Sequence, residues 1–138
     1  MGGSRSQRPL PAAALPVPVL PRVWRITLAD LPISVNSLYR STERRGLKAL
    51  TDDAKSQREK FGMVASLSGF RVEAGVSYGV RVTFTQPGQS GDLDNYCKQL
   101  LDSIFGKEND RHIVRLELAK RVERGVRQTD VTIYEVTE

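Results

Sequence analysis

Sulfur and imidazole are almost absent from this chain. A single cysteine, Cys97, excludes an intramolecular disulfide, and with a single histidine, His112, no zinc-ligand spacing can be assembled. A metal held here would have to be bound mainly by carboxylates, which selects hard cations such as Mg2+ or Mn2+. Long apolar runs are absent too. The most apolar stretch, 12–20, is broken by Pro16 and Pro18, and nothing approaches the length of a bilayer span. No small-residue cleavage site follows it, so neither a signal peptide nor a membrane helix is expected, and a cytoplasmic location is. There is no internal repeat.

What is present suits one folded domain. The chain has 138 residues, 39% hydrophobic and 27% charged, which is the balance of a globular protein with one core. Five of the seven prolines fall within residues 1–21, so 1–21 is expected to be a disordered or extended tail and 22–138 the domain. The net charge of +5 is unevenly spread. Residues 1–60 carry 11 Lys+Arg against 5 Asp+Glu, and residues 61–138 carry 10 against 11. A basic half that holds a polyanion and an acidic half that acts on it would use such a split, although an ordinary basic surface accounts for the charge equally well.

Periodicity lays out the elements. Residues 23–28 alternate and are rich in β-formers, which predicts a strand; 31–40 reads as a loop, 41–46 as a polar mobile segment and 48–50 as a short strand. Thr51 has the character of a helix N-cap, with Asp52 and Asp53 in the first turn and the helix running to about Leu67. Residues 76–85 alternate, with Val76, Tyr78, Val80, Val82 and Phe84 on one face. A second helix over 93–105 places Leu93, Tyr96, Cys97, Leu100, Leu101, Ile104 and Phe105 on one apolar side and ends at Gly106. Two more strands, 113–122 with Val114, Leu116 and Leu118 on one side, and 128–136, are expected to form a hairpin about Arg124 and Gly125. The sum is an α+β (mixed α/β) fold, a mixed sheet with two main helices packed on it.

The polar side of the second helix carries the candidate chemistry. Asp92 and Asp94 stand at its start, Lys98 lies one turn beyond Asp94, and Asp110 precedes the next strand. Two positions apart on a helix diverge, so Asp92 and Asp94 can share an ion only if Asp92 sits ahead of the helix on extended or cap backbone. Phosphodiester cleavage needs an activated water and neutralised phosphate charge, which carboxylate-bound Mg2+ and a nearby lysine supply. Each residue also has an ordinary reading: Asp92 as N-cap, Asp94 with Lys98 as a surface (i, i+4) pair, Asp110 as a turn residue. On spacing alone those readings are the commoner ones.

The run Gly91-Asp92-Leu93-Asp94-Asn95-Tyr96-Cys97-Lys98, followed by Leu101-Asp102, Gly106 and Asn109-Asp110, resembles the signature of the RusA endodeoxyribonuclease family. The segments 32–40 and 50–55 resemble its N-terminal blocks, so the likeness runs in order from Trp24 to the C-terminus. The resemblance implies a RusA-like fold working as a homodimer, with Asp92, Asp94 and Asp110 as metal ligands for Mg2+ or Mn2+ and Lys98 as the catalytic lysine. It implies a Holliday junction resolvase making paired cuts in four-way DNA, as in bacteria and their phages, with no organic cofactor. Two positions depart from the pattern: Asn109 stands where the family often has a second Asp, and Gly91 where some relatives have a basic residue.

Further residues are weighed beside these. Asn36 and Arg40, in the matched N-terminal block, and Arg44, Arg45 and Lys48 are candidates for DNA contact, each also readable as a solvated loop residue. Lys55, Arg58 and Lys60 are expected on an exposed helix face. Asp102 is read as structural or metal-binding, His112 as a proton shuttle or a partly exposed strand residue, and Lys120 as facing DNA or solvent. A helix over 93–105 would be about 20 Å long, and Asp110 follows its far end. Either the link folds back to Asp92, or the site is shared across a dimer interface. The rival functions are a branched-DNA-binding scaffold without cleavage, and a nuclease for other branched DNA.

Overall fold

In the computed structural model of the protein, residues 20–41, 48–106 and 108–137 are described. The expected tail therefore lies almost wholly outside the described residues, as does most of the polar segment after Ser41.

A four-stranded sheet has the order β1-β6-β4-β5, built from β1 (Val23–Leu28), β4 (Ser77–Gln86), β5 (Ile113–Val122) and β6 (Gln128–Val136). β6 runs antiparallel to both β1 and β4, while β5 runs parallel to β4, so the sheet is mixed. A separate two-stranded ribbon, β2 (Tyr39–Ser41) with β3 (Lys48–Leu50), precedes helix α1 (Asp52–Leu67). Helix α2 (Asp94–Phe105) carries the chain from β4 to β5. The Thr51 hydroxyl accepts from the Ala54 amide at 3.2 Å, so the cap read from the sequence forms.

Alternation along β4 puts Tyr78, Val80, Val82 and Phe84 on the face that the helices cover, against Ile26 and Leu28 of β1 and Val131 and Ile133 of β6. Phe61 and Ala65 from α1, and Leu100 and Phe105 from α2, close the core. The opposite face of the sheet is polar, with Thr27 donating to Asp130 and Arg81 paired with Glu117.

Two expectations are corrected. β5 and β6 do not form a hairpin, because β4 lies between them. The α2 crossover returns the chain to lay β5 parallel to β4, and the turn after β5 then passes the end of β4, where the Glu123 amide donates to the Gln86 carbonyl at 2.9 Å. The apolar side of β5 is also less buried than alternation implies. Leu118 packs on the core, but Val114 is 54% exposed and Leu116 43%, since β5 is the sheet edge and lies beyond the cover of the helices. The loop expected over 31–40 contains a 3-10 turn (Val35–Ser37) and runs into β2.

Buried amides lock the two helices together. Gln99 is fully buried; its Nε2 donates to the Ala54 carbonyl and Gln57 Oε1, and its Oε1 accepts from Arg58 Nε. Gln57 in turn donates to the Leu31 carbonyl and accepts from the Ile33 amide. The chain ahead of the ribbon is thereby fixed to α1, and α1 to α2.

Candidate active site

α2 runs antiparallel to β4. Tyr96, in its first turn, stacks 4.9 Å from Phe84 near the end of β4, and Phe105, its last residue, lies 5.9 Å from Tyr78 near the start. Asp92 and Asp94 therefore sit at the end of the sheet where β4 finishes. Asp110 opens a 3-10 turn (Asp110–His112) leading directly into Ile113, which pairs with Tyr78 at the other end. The 12 residues of α2 span about 18 Å, and Asp110 lies beside Leu101 in the second half of that length. Among the described residues no three His, Cys, Asp or Glu side chains are grouped as a metal site. One chain thus brings Asp92 and Asp94 to the start of α2 and sets Asp110 beside Leu101, in the second half of the same helix.

Asp92 precedes the helix, as an ion shared with Asp94 would require. Leu93 occupies the cap position and no side chain caps the helix. Among the described residues the carboxylates of Asp92, Asp94 and Asp110 make no hydrogen bond and no ion pair, and all three residues are exposed. The simple capping reading of Asp92 is not what the backbone uses, and two exposed acidic groups sit where the helix dipole favours negative charge.

Lys98 turns away from Asp94. Its Nζ lies 3.5 Å from Asp102 Oδ2, one turn onward, and it also meets the Tyr39 hydroxyl. Asp102 has a side chain only 9% exposed and is held from the other side by Arg58 Nη2 at 3.1 Å. The Asp102 charge, and then the Tyr39 contact, raise the Lys98 pKa above the ordinary lysine value, so the group is an ammonium throughout the neutral range. That state suits stabilisation of phosphate charge rather than proton abstraction.

The N-terminal block converges on the same helix. The 3-10 turn carrying Asn36 packs against α2, with the Asn36 amide donating to Ser34 Oγ at 3.2 Å, and Tyr39 follows it to reach Lys98. Asn36 is exposed. Arg40 and Lys48 lie on β2 and β3, paired with Ala49 and Ser41, and their side chains lie outside the described atoms. Arg44 and Arg45 lie outside the described residues. His112 ends the 3-10 turn at Asp110 and is half-buried.

Sequence reasoning did not single out Tyr39, and it did not foresee the contacts of Arg58 and Lys120. Arg58 is not simply on an exposed face, since it reaches Gln99 and Asp102. A signal existed one residue earlier: Gln57 falls among Ala54, Phe61 and Ala65 at helical spacing, so a polar residue occupies the buried stripe. Lys120 is half-exposed, and its Nζ donates to two loop carbonyls. Nothing in the sequence pattern marks that contact.

Two depressions are relevant by position. The larger, about 570 Å³, lies between the chain after β1 and α1, with Asp30, Asp53 and Lys60 on its walls and none of the candidate residues. The smaller, about 290 Å³, joins Asp110 to Leu101 and to the exposed Val114 and Leu116 of the β5 edge. No protein-family model matches the chain, and no curated protein matches it.

Proposed function

We propose that this protein is a divalent-metal-dependent endonuclease of the RusA kind, a resolver of four-way DNA junctions, and that its active sites are completed between two copies of the chain. The observation that carries the reading is the pair of unneutralised carboxylates, Asp92 and Asp94, at the start of α2, on the same helix as a lysine held in its charged form. Mg2+ or Mn2+ bound there would supply activated water and charge neutralisation. Lys98 would face the phosphate, aimed by Asp102 and Tyr39, and the exposed Asn36 turn with the basic ribbon beyond it would track the DNA backbone.

Asp110 reaches such a site from a second copy. Among the described residues no strand lies outside β5, which exposes Val114, Leu116 and Val122, and Asp110 lies at its start. Two edges paired antiparallel about Ala119 would set Leu116 against the partner's Val122 and Glu117 against the partner's Arg121, matching apolar with apolar and acid with base. The same two-fold carries Asp110 of one copy toward the Asp92 end of the other. Two sites related by a two-fold suit paired cuts in a two-fold substrate.

The test is incubation with a labelled four-way junction and a linear duplex of the same sequence, in Mg2+, Mn2+ or EDTA. Paired, metal-dependent nicks confined to the junction are expected. Junction binding without cutting in either metal would contradict the enzyme and support a scaffold instead; cuts in flaps but not junctions would redirect the substrate.

A further inference from the structure

The loop that delivers Asp92 to α2 is held by two side chains in alternation. Gln86 Nε2 donates to the Gly88 and Ser90 carbonyls, the latter at 2.7 Å. Lys120 Nζ donates to the Gln89 and Gly91 carbonyls, both at 2.9 Å. Four consecutive carbonyl oxygens, 88–91, are thus captured. Gln86 is the last residue of β4 and 2% exposed, and its Oε1 accepts the Tyr96 hydroxyl at 3.0 Å, which fixes the amide with its nitrogen toward the loop. Lys120 stands opposite Phe84 on β5. Gly91 closes the loop at φ +106°, a conformation that a side chain would strain, and an added Cβ would lie 3.1 Å from the Tyr96 hydroxyl. Strands β4 and β5 and helix α2 therefore all contribute to the one loop, 87–93, that joins β4 to α2.

We infer that Lys120 is a positioning residue for Asp92, with Gln86 as its counterpart. An exposed loop ordinarily samples many conformations, and ordering it costs entropy. Here that cost is met during folding, by contacts that leave the Asp92 carboxylate without a partner among the described residues. A carboxylate presented ahead of a helix on a fixed backbone has one orientation relative to Asp94, which is what a shared cation requires. The inference rests on the reading of Asp92 as a working carboxylate, but the loop contacts themselves do not depend on it.

The experiment uses the full chain with Lys120→Met, which keeps the aliphatic stem and removes the donors, Lys120→Gln as a second truncation should Met impair folding, and Lys120→Arg as the conservative variant. Amide hydrogen exchange is followed across 88–92, and Mn2+ affinity is measured by titration. Exchange at 88–92 in Lys120→Met is expected to rise about tenfold while the core amides of β4 and β6 are unchanged. Mn2+ affinity is expected to fall about tenfold, with Lys120→Arg recovering most of both. Unchanged exchange would overturn the inference. So would faster exchange with Mn2+ affinity equal to that of the parent, when Asp92→Asn abolishes it. A parent protein that binds no Mn2+ would instead refute the metal reading of Asp92, and the exchange result would still decide whether Lys120 fixes the loop.

Discussion

Lys98 sits midway between two aspartates at helical spacing, Asp94 one turn before it and Asp102 one turn after. Spacing alone offers both as partners, and the structure selects Asp102, since Arg58 arrives from α1 to hold that carboxylate in place. Sequence reading recognised the residue types but not this preference, because the choice is made by a side chain 40 positions away. The consequence is testable. Lys98→Ala is expected to lower junction cleavage by about 100-fold or more, the loss typical of removing a charge-stabilising donor, while Asp102 stays paired with Arg58 and the thermal midpoint barely moves. A fall in midpoint that tracks the loss of activity would mean that Lys98 is only structural. At the same scale, Tyr78 is buried and bridges its own turn, donating to the Arg71 carbonyl and accepting from the Glu73 amide. Burial raises its pKa above the free phenol value. The unfolded chain therefore ionises first, and stability that is complete below about pH 10 should decline as pH rises beyond it. Denaturant titrations at pH 8 to 11 would show the decline, and Tyr78→Phe should flatten it; an unchanged slope in that variant would contradict the assignment.

Among the elements, those carried by local chemistry were legible. The Thr51 cap, the alternation of β4 and the Gly106 stop of α2 each act within a few residues, and each is found where the sequence placed it. The pairing of β5 was not legible, because a short turn at Gly125 suits a hairpin as well as it suits a step past an intervening strand. Of the Gln57–Gln99 lock only Gln57 left a trace, in the buried stripe of α1, while Gln99 looks like a surface residue until α1 and α2 are packed. Gln99→Ala would leave Arg58 Nε, the Ala54 carbonyl and one acceptor of Gln57 short of a partner in a buried place. A loss of about 1–3 kcal/mol is expected, read as a shift of the urea midpoint with unchanged slope. A midpoint within error of the parent would show that the network is dispensable for stability.

At the scale of the whole molecule, the sequence supplied the three acidic positions but not their placement. The separation follows from one topological fact, that α2 is a crossover between parallel strands and so must deliver its two ends to opposite ends of the sheet. In the proposed reading a site using all three draws on a second chain, and the β5 edge with its exposed apolar residues is the surface proposed for it. The most direct measurement mixes two inactive variants, Asp92→Asn and Asp110→Asn, after co-refolding, on a four-way junction. If sites are completed between copies, each mixed dimer holds one site with both defects and one with neither, so nicking of single strands returns while paired cutting does not. If each site is built within its own chain, every site carries a defect, and a mixture as inactive as either parent alone would contradict the account.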